Sequence, residues 1–350
     1  MTRALATIRR ISDIRPIEGA DKISVATVDG WKVVIANDVG HRIGDLVVYF
    51  EIDSLLPERP EFEFLRKSCY VKNSANGAGF RLKTIKLRGQ ISQGLVMPVD
   101  EQGEKEATVF GELEGAYRPF LVVLEGDDVT EFLGVKKYEK PIPVEMAGKM
   151  KGNFPSFIPK TDAERIQNCY DDFDKKWRGH CFEVTIKLDG TSATYYIKDG
   201  VFGVCSRNID LLETDDNLYW QIARSYDIEN KLKAVGYDVA IQGEIMGPGV
   251  QGNKEGFDEH RFFVFNVWDI KKKAYLNTYD RVAFTKYFFE NIPWLDDIWM
   301  DDQTLEDILA MADGPSINAK RREGVVFKSI DNPSVQFKAI SNEWLLKNDG

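Results

Sequence analysis

The first hundred residues show apolar and β-branched positions in short runs, not at helical spacing. Such runs lie at residues 4–11, 23–28, 31–35, 46–52, 80–87 and 94–98, with turn chemistry between them at Pro16 to Asp21 and at Asp29-Gly30. Several short strands punctuated by Gly, Asp and Pro predict a small all-β sandwich or barrel, and we assign an OB-type barrel. Four of the thirteen prolines (Pro141, Pro143, Pro155, Pro159) then fall within 141–159. That density suits an extended linker better than a helix or central strand. The division expected is a β-barrel domain over 1–140, a Pro-rich linker over 141–159 and a second domain over 160–350.

The second domain mixes both periods. A helix is predicted over 161–177, with Thr161 or Asp162 as N-cap, and further helices over 217–235, 279–291 and 304–313. Runs at 181–187, 191–198 and 201–205 read as a meander turning at Asp189-Gly190 and Asp199-Gly200. Strands recur at 239–245, 261–269, 324–329 and 334–340. The irregular order of helices and strands predicts an α+β fold with mainly antiparallel sheet.

Composition narrows the class. At 350 residues, 43% hydrophobic and 29% charged, the chain excludes a disordered or fibrous protein. No apolar run approaches the ~20 residues of a membrane span, and the first residues lack a signal-peptide core. Cys69, Cys169, Cys181 and Cys205 form no CxxC pair, so neither a disulfide framework nor a zinc site is indicated. The expectation is a cytoplasmic or other reducing intracellular compartment, no membrane, and a monomer. A net charge of −10 argues against a cationic coat protein but leaves room for a local basic groove. The three histidines, His41, His180 and His260, lack ligand or triad spacing, which leaves lysines and carboxylates to carry the chemistry.

The segment Phe182-Glu183-Val184-Thr185-Ile186-Lys187-Leu188-Asp189-Gly190 places Glu183, Thr185 and Lys187 on one face of a strand. A lysine there is either a nucleophile held by the sheet or a solvated strand-end residue. As a nucleophile it must first lose its proton. From a reference pKa of ~10.4 that costs about 4–5 kcal/mol at pH 7, and nearby cations (Lys328, Lys338 and a divalent metal) would lower it. Asp189, Glu244 and Glu323 offer hard oxygen ligands for Mg²⁺.

Downstream, in order, lie Ser206-Arg207-Asn208, Gly243-Glu244-Ile245-Met246-Gly247, Phe262 to Val267, Glu323-Gly324-Val325-Val326-Phe327-Lys328, and Phe337-Lys338-Ala339-Ile340-Ser341. The series resembles the collinear motifs of the covalent nucleotidyltransferases, the superfamily of polynucleotide ligases and mRNA capping enzymes. The resemblance implies an ATP-grasp-like ligase domain over 160–350, with Lys187 carrying AMP covalently. It puts Arg207 and Glu244 on the ribose, Phe265 on the adenine, and Lys328 and Lys338 on the α-phosphate. Glu183 joins this nucleotide-binding set, and Asp189 and Glu323 serve the metal, Mg²⁺ or Mn²⁺. For Phe265 the competing reading is core packing. Strict alternation would put Glu323 and Lys328 on opposite faces, so Glu323 must stand at the strand entrance or beside a bulge. Two positions depart from the pattern. Lys338 lacks the second lysine that some RNA ligases carry two residues on, and Asn266 stands where many relatives have an acid.

Only nine residues follow Ser341, whereas classical DNA ligases and capping enzymes place an OB domain there. With its β-rich domain in front, the chain resembles RNA ligase family five. The segments Pro16 to Asp21, Gly30 to Val34 and Tyr49 to Pro57 look like that family's front domain. Lys160 to Asn168 looks like its entry helix, where Arg165 would meet the ATP β,γ-phosphates. The activity implied is ATP-dependent joining of RNA 3′-OH and 5′-phosphate ends, of a single strand or at a duplex nick. Arg81, Lys83, Lys86 and Arg88 form a basic stretch that is either an RNA track or a solvated strand. The competing functions are a GTP-dependent capping-type guanylyltransferase and a non-catalytic RNA-binding protein on a ligase scaffold.

Overall fold

The computed structural model describes residues 3–101, 106–111, 119–141, 148–301 and 303–348. The chain divides into two compact units, Met1–Ile142 with Leu345–Gly350, and Pro143–Trp344. Within the proposed linker, residues 142–147 lie outside the described residues.

In the first unit one long strand, Ala6–Ile17, serves two partners. Its first half pairs with Leu46–Phe50 and its second half, past an irregularity between Ile11 and Asp13, pairs with Ala20–Val28. A strand shared in this way turns a sheet corner. The full order is Leu95–Pro98, Leu46–Phe50, Ala6–Ile17, Ala20–Val28, Trp31–Ala36. The last strand is tied back to the segment before the first, through Val34 N–H donating to Ser92 Oγ at 2.9 Å. The sheet thus curls into the small barrel expected, around Ile8, Val48, Phe50 and Phe80.

Three sequence expectations are corrected in this unit. Pro16 lies inside the strand Ala6–Ile17 and not in the turn. The run 80–87 is two strands, Gly79–Arg81 and Thr84–Leu87, in separate sheets, because Arg88-Gly89 forms a left-handed turn that folds the second onto Gln90–Gln93. Arg81 and Lys86 therefore do not share a strand. Arg81 instead stacks on Tyr138 at 4.1 Å and pairs with Asp53. A hairpin of Glu106–Phe110 with Phe120–Leu124 also forms in a stretch to which no strand was assigned.

The second unit holds two sheets. The larger contains, in order, Met150–Asn153, Ile209–Leu211, Val201–Cys205, Thr191–Lys198, Val239–Met246, Arg261–Asp269 and Ala274–Tyr275. The smaller runs Glu164–Arg165, Gln336–Ile340, Gly324–Ser329, Cys181–Lys187, Trp294–Trp299. Cys181–Lys187 and Thr191–Lys198, expected as neighbours in one meander, lie in different sheets. The chain crosses between sheets at Leu188 to Gly190, and a Cβ on Gly190 would stand 2.3 Å from the Ile245 carbonyl oxygen. Only glycine lets the backbone cross there. Asp199-Gly200 does make the expected hairpin turn, both residues with positive φ.

The helices are shorter than their patterns. The predicted 217–235 helix is two, Leu218–Ser225 and Ile228–Val235, interrupted where Asp227 adopts a left-handed conformation. The 279–291 pattern is a helix only over Thr278–Thr285, followed by the strand Glu290–Asn291. Leu305–Ala310 is capped by Thr304 as expected, in a reciprocal box with Asp307.

Candidate active site

The site lies in the second unit and begins with cross-strand register. Lys187 pairs with Gly324, Thr185 with Val326 and Glu183 with Lys328; on the next strand Val326 pairs with Lys338, which pairs in turn with Arg165. Directly opposed residues share a sheet face. Lys187, Glu183, Lys328, Lys338 and Arg165 therefore arise from one face of the five-stranded sheet. Gly324 has no room for a side chain, since a Cβ would lie 2.1 Å from the Ala339 carbonyl oxygen.

Glu323 stands immediately before the strand Gly324–Ser329, at the entrance, one of the two positions that alternation allowed. Its Oε2 accepts from Lys187 Nζ at 2.6 Å. Glu244, on the facing strand Val239–Met246, accepts from the Gly190 N–H at 3.2 Å. Burial pushes the Glu244 carboxyl up to about 8, with Lys187 pulling it down and Glu323 pushing it further up. The protein's own groups shift the Lys187 amine upward, whereas the sequence expectation counted a divalent metal among the cations that lower it. Burial lowers its pKa, but Glu323, Glu244 and Asp189 outweigh burial and raise it. The charges nearest the amine are carboxylates and not the lysines invoked from the sequence.

The remaining cations are each engaged. Asp162 accepts from Lys338 Nζ at 3.1 Å and lies 3.4 Å from Arg207 Nη2. The sequence offers Thr161 or Asp162 as a helix N-cap. The helix starts instead at Ile166, because the backbone of Glu164–Arg165 is spent on parallel pairing with Phe337 and Lys338. Arg165 thus sits on a strand, not on an entry helix, and is buried. Asp189 pairs with Lys254, whose ammonium also lies 4.5 Å from the Trp344 ring centroid. The local sequence offered Asp162 only as a cap and did not mark Lys254 at all, since both pairings join distant segments.

Phe265 occupies a bulge. Gln242 pairs with Asn266 and Gly243 with Val264, so Phe265 is the extra residue. Bulges re-aim side chains, and Phe265 is half-buried against the cluster containing Ile186, Leu188 and Phe263. The Lys328 ammonium reaches this bulge, donating to the Phe265 carbonyl at 2.6 Å and to Asn266 Oδ1 at 2.7 Å. Both acceptors belong to the nucleotide-side strand Arg261–Asp269. Glu183, fully buried, pairs with Arg281 at 2.6 Å. Arg281 was not singled out from the sequence, where it is one basic residue in an ordinary helical pattern.

Among the described residues no His, Cys, Asp or Glu cluster forms a closed metal cage. The carboxylates of Asp189 and Glu323 fit the other mode of holding Mg²⁺ or Mn²⁺, in which one or two carboxylates act together with substrate phosphates. No helix among these residues is long and apolar enough to cross a membrane.

Comparison with known proteins gives the same outline. An OB-fold domain model matches residues 5–99 and an RNA ligase model matches residues 181–340. Among curated protein sequences none matches. Among solved structures, the chain is similar to a Naegleria gruberi RNA ligase with pyrophosphate, at 42% identity and a TM-score of 0.85 over 99% of both chains. It is similar to a substituted form of that ligase with ATP and Mn, at 41% identity and 0.85 over 99% of both chains. Another substituted form, with AMP and Mn, matches at 41% identity and 0.86, again over 99% of both chains. With identity of this order running through both units, the chain belongs to the RNA ligase family.

Proposed function

We propose that this chain is an ATP-dependent RNA ligase in which Lys187 is the nucleophile. The observation that carries the reading is the Lys187–Glu323 contact at 2.6 Å, beside Glu244 on the facing strand. In the first step the Lys187 amine attacks the α-phosphorus of ATP, a P–N bond forms, and pyrophosphate leaves. The AMP then passes to an RNA 5′-phosphate, which frees the lysine. Finally a 3′-OH attacks that activated end, a phosphodiester forms, and AMP leaves. Dividing the joining through a covalent intermediate is the logic of nucleophilic catalysis.

The residues divide by charge. Glu244 and Arg207 take the ribose, Phe265 the adenine, and Lys338 and Arg165 the phosphates. Lys328 supports the base end through Phe265, and Glu183 supports Lys328. Asp189 and Glu323 would hold the divalent metal, which when bound would supply Lewis-acid stabilisation of the phosphate charge. Burial of Lys187 favours the neutral amine, and the Glu323 carboxylate opposes it by holding the proton.

The substrate is RNA with 5′-phosphate and 3′-OH ends, and the protein acts as a monomer with its barrel domain in front. The test is sealing of labelled RNA as a single strand and as a duplex nick, with Lys187→Ala alongside. Sealing that needs Lys187 and ATP supports the reading. Sealing unaffected by the substitution refutes it.

A further inference from the structure

We propose that Arg281 and Glu183 are positioning residues that hold Lys328, and through it the bulge carrying Phe265, in place for the nucleotide. The inference rests on the adenylylation reading above. Arg281 lies on the helix Thr278–Thr285, is buried, and donates through Nη2 to Glu183 Oε2 at 2.6 Å and through Nη1 to Asn291 Oδ1 at 3.0 Å. Glu183 turns its other oxygen to Lys328 Nζ at 3.6 Å. The ammonium spends two donors on Phe265 O and Asn266 Oδ1, and an ammonium has three. Asn266 in turn donates to Gln242 Oε1 at 3.2 Å.

This chain of contacts crosses between the sheets. Lys328 starts on the five-stranded sheet and ends at the single irregular position of the Gln242–Asn266 register in the other. A bulge leaves ladder groups unpaired, and here the carbonyl of the bulged residue is held by a charge. That charge is buried and needs a counter-charge. Glu183 is the carboxylate that supplies it, shared with Arg281.

The surroundings fix the sign of each perturbation. Burial lowers the Lys328 pKa to about 8, Glu183 raises it and Arg281 lowers it. Gln336 opposes Lys328 on the strand Gln336–Ile340 and is neutral, while Asp297 opposes Glu183 on the edge strand Trp294–Trp299. Two cations thus compete for one carboxylate. Removing the carboxylate and removing the competing cation must move Lys328 in opposite directions.

The experiment is the pH profile of enzyme–AMP formation from α-labelled ATP at low and saturating ATP, with thermal melts confirming folding. The wild type should lose rate on the alkaline side as Lys328 loses its proton. Glu183→Gln should move that limb down by about one pH unit, and Arg281→Met should move it up by a similar amount, of the order expected for a neighbouring charge. Lys328→Arg, which does not titrate in this range, should remove the limb; it also decides the case if Arg281→Met does not fold. Limbs that stay put, move together or survive in Lys328→Arg overturn the proposal. A wild type that takes no label at all fails the adenylylation reading itself and takes this inference with it.

Discussion

Lys187 Nζ donates to Glu323 Oε2 at 2.6 Å although 136 residues separate the two. The contact follows from register, since Lys187 pairs with Gly324, the residue after Glu323. It makes the resting amine a charged group held by a carboxylate. The first chemical demand on the site is to undo that pairing.

Glu323→Gln removes the leading influence that holds the Lys187 proton, so the free amine should titrate at lower pH. Reactivity toward an amine-directed label, measured without nucleotide, should appear at lower pH in the variant than in the wild type. Enzyme–AMP formation should nonetheless fall on the order of 100-fold, the scale of losing a preorganised charged group. A variant whose amine titrates as in the wild type contradicts the pairing.

Glu244 makes stability depend on pH. Its folded pKa is raised from 4.5 to about 8, so in that window the folded protein holds a proton the unfolded chain has lost. Stability contributed by this group is fully present below the unfolded value and declines as pH rises toward 8. Glu244→Gln, which cannot ionise, escapes the decline. Melting temperatures of the two proteins should diverge in favour of the variant between pH 5 and pH 8. A constant difference across that range would count against a buried, proton-holding Glu244.

Gly190→Ala puts a methyl 2.3 Å from the Ile245 carbonyl oxygen and 2.8 Å from Glu244 Cγ. Backbone has to move, at a cost of roughly 1–3 kcal/mol for overpacking. Because Gly190 also donates to Glu244, the same shift disturbs the site. Chemical denaturation should show the loss, and enzyme–AMP formation should drop further than stability alone explains. Wild-type stability and rate in this variant would exclude the tight crossing between sheets.

Phe265→Leu keeps an apolar side chain on the bulge but removes the ring. If the ring stacks on adenine, the lost aromatic contact is worth about 0.5–1.5 kcal/mol, a roughly two- to tenfold rise in KM for ATP. Pure core packing predicts lower stability with an unchanged KM. Steady-state kinetics and a melt on one preparation separate the two.

How far the sequence revealed all this depends on the range of each interaction. The curled front sheet was legible because its strands announce themselves by alternation and by Gly and Asp turns, as at Asp29-Gly30. The position of Glu323 was half legible, since alternation left either the strand entrance, where it stands, or a place beside a bulge. Pairings between distant segments were not. Asp162 looked like a helix cap because Ser, Thr, Asp and Asn favour that role locally, while parallel pairing of Glu164–Arg165 with the strand holding Lys338 decided otherwise. The carboxylates that raise the Lys187 pKa went uncounted for a similar reason. The lysines were counted as neighbours from motif order, yet Lys328 points to the Phe265 carbonyl and Lys338 to Asp162. The helix break at Asp227 rests on one left-handed residue inside a continuous apolar pattern.

The most direct measurement is covalent labelling with α-labelled ATP or GTP and Mn²⁺, on protein stripped of bound nucleotide, comparing the wild type with Lys187→Ala. A label from ATP that is absent in the variant is the predicted result. A label from GTP alone, or an ATP label that persists without Lys187, would contradict an adenylylated lysine at this position.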